Sequence, residues 1–525
     1  MTQNTNLKNQ LWAAAEQLRA NGSLKLNEIS EPILGLIFLK FADVKFKNLH
    51  KDILKQRGKQ TGRQRPISSD DYKSQGVVFV PDTASYQYLL SLPGSENTGK
   101  AINDAISQIE EHNTELKGVL PKNYTSISNN STENSKLLIT LLKNFNQIPD
   151  DIEGDAFGDI YEYFLGEFAR SEGQGGGEFF TPQSMISLLV EILEPKSGSI
   201  FDPACGSGGM FVACANYAKK HTTLDRNIMN EITIYGQEKG EGNIKINKMN
   251  LAIHGLSGKV IQANSFYDDP HFSIGKFDYV LANPPFNVKG KDSNGQTVID
   301  GSRIKNDNRY PFGLPLTGKN DITNGNYLWI QMFASSLSPK GRAGFVMANS
   351  ASDAGNSELQ IRKNLIESGI VDCIVSVGTN MFMNAALPCT LWFFDKAKKG
   401  TDREKKILFL NAQDIFTQVD KAHNTWTDEQ IQELAGYVRS YRAEEGYPQY
   451  QDQKGRCKVA TIEEVAASGY SLNPGRYVGT VESTITHEDF QSSMRELQTE
   501  FETLTVESHE LEAKIKENFT KLFER

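Results

Sequence analysis

Phe277-Asp278-Tyr279-Val280-Leu281-Ala282-Asn283-Pro284-Pro285-Phe286 is an apolar run that ends in an amide, two prolines and an aromatic ring. The run reads as a buried strand. The prolines stop it, because each lacks a backbone donor and fixes φ. The chain must therefore turn there, with free carbonyls and a stiffly held ring at the carboxyl edge of a sheet. In open α/β sheets ligands bind at that edge. A rigid amide, exposed carbonyls and a ring suit a flat nitrogenous group that carries an NH₂.

Outward from this stretch, the pattern over about 176–400 predicts further strands at Ser199–Ala204, Ile232–Glu238, Lys259–Ser265, Arg342–Asn349, Ile370–Val377 and Leu387–Asp395. Helical periodicity falls between most of them, around Met210–Lys220, Asn243–His254, Tyr327–Leu337 and Glu358–Ser368. Such alternation predicts a mostly parallel sheet covered on both faces. The polar stretch Asn287–Asn324 exceeds usual loop lengths and reads as a functional lid or a disordered segment.

Residues 1 to about 175 read as helical. Leu11, Trp12, Ala15 and Leu18 follow a 3-4 spacing, and Ile33-Leu34-Gly35-Leu36-Ile37-Phe38-Leu39-Lys40 is a buried helical run. A basic segment, Lys55 to Arg65, reads as a loop, either solvated or in contact with phosphate. Ser126 to Asn134 is polar and loop-like. In the tail, Met494, Leu497, Phe501, Leu504, Leu511, Ile515 and Leu522, with Ser508 and Asn518 inserted, keep a 3-4 spacing. That is the seam of a coiled coil with two polar positions, or of a helix packed on its own domain.

At 525 residues the chain predicts two or three domains. No stretch of about 18 apolar residues suggests a membrane span. Five cysteines without CxxC spacing argue against a disulfide framework or a zinc site, and for a reducing cytoplasm. The net charge of −9 is poor for holding a polyanion alone. A nucleic-acid substrate would therefore require a partner for much of the grip.

The first strand of the α/β region runs into Asp202-Pro203-Ala204-Cys205-Gly206-Ser207-Gly208-Gly209-Met210. Glycines at a strand-to-helix turn let the backbone approach a ligand at the positive end of the helix. The acid ahead of them repels a pyrophosphate but accepts from an ammonium. Glu238, ending the next strand, sits like the acid that takes ribose hydroxyls in dinucleotide sites, with a plain surface carboxylate as the alternative. Together they suit a nucleoside joined to an amino acid, S-adenosylmethionine.

These motifs resemble those of the class I methyltransferases, and specifically the amino-methylating DNA methyltransferases. Asp202–Gly209 is similar to their cofactor motif and Asn283–Phe286 to their catalytic motif. Glu178-Phe179-Phe180-Thr181-Pro182-Gln183 is similar to the segment that folds over the cofactor's methionine end. The motif order matches the adenine-N6 group. Leu34–Lys40, Asp202–Met210 and Tyr470-Ser471-Leu472-Asn473-Pro474-Gly475-Arg476-Tyr477 resemble, more closely, the modification subunit of type I restriction-modification systems.

The resemblance implies a Rossmann-like class I methyltransferase domain with a seven-stranded, mostly parallel sheet at 176–400. An all-α domain at 1–175 precedes it. A connecting α/β segment at 401–479 and a helical or coiled-coil tail at 480–525 follow. The implied activity is adenine-N6-specific DNA methylation. Asn283 Oδ1 and the Pro284 carbonyl would accept the amine N–H bonds, and Phe286 would stack on a flipped base. Phe382 would press its opposite face, or serve as a core residue. Glu178 to Gln183, Asp202, Gly206, Ser207, Gly208, Gly209, Glu238 and Asn264 would hold the cofactor, although many relatives carry an acid where Asn264 stands. The implied partners are double-stranded DNA, a DNA-specificity subunit bound by two copies of this chain, and a restriction/translocase subunit.

Gly313-Leu314-Pro315-Leu316-Thr317-Gly318-Lys319-Asn320 nearly spells a P-loop, but Asn320 replaces the magnesium-binding hydroxyl and no flanking strand and helix are predicted. Two alternatives remain at this stage: a protein-glutamine methyltransferase, usually shorter and with Tyr in place of Phe286, and a non-catalytic cofactor-sensing scaffold.

Overall fold

The computed structural model describes residues 2–21, 26–58, 65–93, 97–130, 132–149, 156–172, 180–221, 231–318, 320–382 and 386–480, with parts of 494–516. Compact packing separates Met1–Val478 from Gly479–Arg525.

Nine strands make one sheet: β1 Gly198–Asp202, β2 Ile232–Glu238, β3 Gly258–Gln262, β4 Phe277–Ala282, β5 Leu337–Ala348, β6 Val371–Val377, β7 Cys389–Asp395, β8 Lys406–Ala412 and β9 Cys457–Thr461. Their order is β9-β8-β6-β7-β5-β4-β1-β2-β3. Strand β7 runs antiparallel to β5 and β6, and β9 antiparallel to β8; the remaining neighbours are parallel. All seven residues of β6 and of β7 are buried, including Asp372 and Asp395, so both strands are covered on both faces.

The principal helices are α1 Thr2–Asn21, α2 Leu26–Arg57, α3 Thr98–His112, α4 Thr132–Phe145, α5 Ala156–Glu172, α6 Gln183–Leu193, α7 Gly209–His221, α8 Glu241–Ile253, α9 Asn326–Ser336, α10 Asn356–Glu367 and α11 Asp428–Tyr441. On one face of the sheet Leu189 and Leu193 of α6 pack with Phe211, Leu391 and Leu434. On the other, Leu328 and Phe333 of α9 pack with Phe277, Phe345 and Trp392. A third core joins Ile37, Ile106, Leu141 and Phe164 of the helical region to Met249 and Ile253 of α8. The helical region is thus welded to the α/β region through α8. Gly35 is required there: a Cβ would overlap Tyr124 Oη and Pro121, and Tyr124 donates to the Pro32 carbonyl at 2.6 Å.

Several segments depart from the sequence reading. Residues 401–479 add two strands to the expected seven, and α11 packs on α6. Ile407-Leu408-Phe409-Leu410 is a fully buried run like any parallel strand, but a charged stretch precedes it and masks its onset. The Ser126–Asn134 stretch is helical instead: it falls within a helix at Tyr124–Asn130 and the start of α4 at Thr132. Ser126 and Ser128 turn their hydroxyls back onto the Asn123 and Thr125 carbonyls. In the basic segment α2 continues through Arg57, and Arg57 and Arg65 both pair with Asp71. Lys59 and Arg63 lie outside the described residues.

The 287–324 stretch is a folded lobe around Ile299, Ile304, Tyr310 and Ile322. Buried Arg309 pins it by donating to the carbonyls of Ser265 at 2.8 Å, Asp268 at 3.0 Å and Phe266 at 3.3 Å. Within the near-P-loop, Leu316–Thr317 pairs with Asp321–Ile322 in a small hairpin; Lys319 lies outside the described residues. In the tail, the described residues Met494, Phe501, Leu511 and Ile515 are helical and exposed. Leu497, Leu504, Asn518 and Leu522 lie outside the described residues.

Candidate active site

The chain steps outward from β1 to β2 and β3, then crosses to β4 on the other side of β1. This reversal opens a crevice between the carboxyl ends of β1 and β4, where doubly wound sheets bind their ligands. Those ends carry Asp202 and Asn283.

After β1 the turn 203–208 is held open by its neighbours. Asn247 Nδ2 and Asn250 Nδ2 on α8 donate to the Gly206 and Ser207 carbonyls at 3.1 and 3.0 Å. Glu238 Oε2 accepts from Gly206 N at 3.1 Å, and Oε1 from Gly240 N at 2.8 Å. Gly208 has φ +82°, and a Cβ there would stand 2.8 Å from Asn247 Nδ2, so the glycine meets both a steric and a conformational demand. Asp202 is 2% exposed, and its Oδ1 accepts from Ala204 N at 2.9 Å. Burial pushes its carboxyl well above the usual range, and the nearby Glu238 charge adds to that.

Asn283 follows β4, and its Nδ2 donates to Thr181 Oγ1 at 2.9 Å. The hydroxyl thereby orients the amide across a gap of 102 residues in sequence. Pro284 is buried. Phe286 and Phe382 are brought together edge-to-face at 6.2 Å and are 7% and 2% exposed, so each ring rests against the other.

Two cavities of about 600 Å³ each share Ala204, Gly206, Ser207 and Asn283 as walls. One extends past Glu238, Asn264 and Phe266. The other is lined by Asp202, Phe180, Thr181, Pro182 and Gln183. Predicted residues from three separate stretches thus meet in one crevice. Glu178 and Phe179 lie outside the described residues. Asn264 Oδ1 already accepts from Phe266 N at 3.2 Å in a local turn.

The donor set fits S-adenosylmethionine: a buried acid for an ammonium, Glu238 beside a cavity large enough for a nucleoside, and glycines that admit close approach. Sequence reasoning missed Asn247 and Asn250, whose periodicity on α8 looks merely helical. It also missed α5, whose Leu165 lines both cavities, and a hairpin at 417–425 that lines the second. No local motif marks either element.

Residues 152–485 match the N-6 DNA Methylase family, and residues 7–145 match the HsdM N-terminal domain. The type I restriction enzyme MjaIX methylase subunit of Methanocaldococcus jannaschii is 36% identical over 97% of this chain and 90% of its own length. The HindI methylase subunit of Haemophilus influenzae is 35% identical over 80% of this chain and 91% of its own. The fold is that of the type I restriction-modification methyltransferase subunit from Streptococcus thermophilus, with a TM-score of 0.72 at 21% identity, covering 90% of this chain and 99% of that one. Neither the protein-glutamine nor the scaffold reading finds support among these relatives. The chain belongs to the N-6 DNA methylase family, alongside the methylase subunits of type I restriction enzymes.

Proposed function

We propose that this chain transfers a methyl group from S-adenosylmethionine to N6 of an adenine flipped out of duplex DNA, as the modification subunit of a type I restriction-modification complex. The observation that carries the reading is the meeting of the glycine turn, Glu238 and the Thr181-oriented Asn283 at one switch point. The cofactor supplies a methyl already activated on a sulfonium. The chain's own task is to bind, orient and stabilise.

Adenine N6 is a weak nucleophile because its lone pair is delocalised into the ring. Asn283 Oδ1 and the Pro284 carbonyl accept its two N–H bonds, which favours a tetrahedral nitrogen. That interaction strengthens toward the transition state, as catalysis requires. Asp202 and the 206–209 turn hold the donor in line with it. An amine within the helix cannot reach this crevice, so the base is extruded. Stacking by Phe286 on that base, with Phe382 opposite, requires the two rings to part from their present contact.

Because the chain is acidic, a separate specificity subunit supplies the sequence recognition and much of the grip on DNA. Two copies of this chain would serve one such subunit, a restriction/translocase subunit would join for cleavage, and the assembly would act in the cytoplasm. No helix among the described residues is long and apolar enough to cross a membrane. The test is transfer of labelled methyl to genomic DNA by the chain with and without its co-expressed specificity subunit. The expected result is incorporation into adenine only in the assembled complex; incorporation into protein instead overturns the proposal.

A further inference from the structure

Between β8 and α11 the chain makes a hairpin, Thr417–Gln418 against Asn424–Thr425. Its neck is closed by Trp426 Nε1, which donates to the Ile415 carbonyl at 2.7 Å. Its tip is rigid: Asp420 Oδ1 accepts from Ala422 N at 2.7 Å, Asp420 pairs with His423, and Val419 N donates to the His423 carbonyl at 2.9 Å. Asn424 pins the hairpin to the turn after β6, through its backbone N–H to the Asn380 carbonyl at 2.7 Å and its Nδ2 to the Thr379 carbonyl at 3.2 Å. That turn leads into Met381 and Phe382. Met381, Val419 and Asn424 line the same cavity as Asn283 and Thr181.

Val419 is the anomaly. It is 65% exposed, on a tip whose other residues are polar or small, and the turn's hydrogen bonds fix it there. Among the described residues, a β-branched apolar side chain held at the rim of the crevice is left mostly uncovered. Extruding a base costs unstacking, and proteins that unstack DNA insert apolar side chains between base steps. Asp420 Oδ2 lies 2.7 Å from His423 Nδ1, and exposed Lys421 follows it.

We propose that this hairpin is a wedge that holds the duplex open beside the extruded adenine, with Val419 entering the stack. The inference rests on the base-extrusion reading above. Its occupant is the double-stranded DNA flanking the target.

The test uses the full complex with its specificity subunit, comparing the native chain, Val419→Ala and Val419→Ile. Two duplexes are offered, one fully paired and one with an abasic site opposite the target adenine. Val419→Ala is expected to slow transfer to the paired duplex roughly tenfold, to come within about twofold of native on the abasic duplex, and Val419→Ile to stay near native on both. Equal rates for Val419→Ala and native on the paired duplex overturn the wedge, as does an equal loss on both duplexes. Loss of binding to the specificity subunit overturns it in favour of a protein contact. A separate arm places 2-aminopurine at the target position. If the native complex shows no rise in its emission, the extrusion reading falls and takes the wedge with it. A rise with native but unaltered kinetics in Val419→Ala removes the wedge alone.

Discussion

Replacing Thr181 by Val removes one hydroxyl and keeps the side chain's volume and branching. In the native protein that hydroxyl accepts from Asn283 Nδ2 at 2.9 Å. A hydrogen bond of this kind contributes about 0.5–1.5 kcal/mol net. Asn283 is only half-buried, so the stranded N–H can be partly satisfied by water and the effect falls near the middle of that range, about 1 kcal/mol. If all of it acts by holding Oδ1 toward the substrate amine, the rate falls roughly three- to tenfold, since about 1.4 kcal/mol corresponds to tenfold. The assay is single-turnover methyl transfer at saturating cofactor, paired with calorimetric titration of the cofactor. Expected is the drop in rate with cofactor affinity within about twofold of native, and near-native behaviour for Thr181→Ser. An unaltered rate with cofactor affinity weakened about tenfold would refute the positioning role and assign the hydroxyl to the cofactor.

Asp202 links the site to pH. Its carboxyl is raised in the folded state, chiefly by burial, so its contribution to stability is complete below the unfolded value and is lost as pH rises through the folded one. Without cofactor, Asp202→Asn should therefore melt higher than native near neutrality, with the gap closing on acidification toward about pH 4. The same variant should weaken cofactor binding about tenfold or more, because a charge-assisted bond is lost. On interior strand β6, Asp372 is fully buried. Burial works to raise its pKa, but Arg442, Lys398 and Arg403 outweigh it and hold the carboxyl low. Asp372→Ala leaves buried Arg442 and Lys398 without this carboxylate, while Arg403 keeps Asp395, and should cost about 3–5 kcal/mol in denaturant unfolding. Cofactor affinity measured below the transition should stay native.

The strands around the crevice were legible because β1, β2, β4 and β6 are short apolar runs ended by turn residues, and helices at 3.6 periodicity separate them. The motif residues were legible for the same local reason: a proline pair after a strand, or glycines before a helix, constrains the backbone whatever packs nearby. What stayed hidden depends on contacts distant in sequence. Thr181 reads as a cofactor residue until its hydroxyl is seen on Asn283, and Asn247 looks like any polar helical position until it meets Gly206. The 287–324 lobe read as loop because its ordering comes from Arg309 and buried side chains rather than from long strands or helices. Strand β8 was overlooked beside its charged approach, although Ile407–Leu410 carried a buried-strand signal of its own.

The central claim is that Asn283, at the end of β4, drives methylation of adenine N6 while other residues hold the cofactor. Nucleoside analysis by mass spectrometry, on DNA incubated with the assembled complex and S-adenosylmethionine, tests it most directly. The native complex should form N6-methyladenine. Asn283→Ala should reduce it by at least about a hundredfold while leaving cofactor affinity near native. Methyl groups on cytosine or on protein, or an Asn283→Ala complex that methylates adenine at the native rate, would contradict the account.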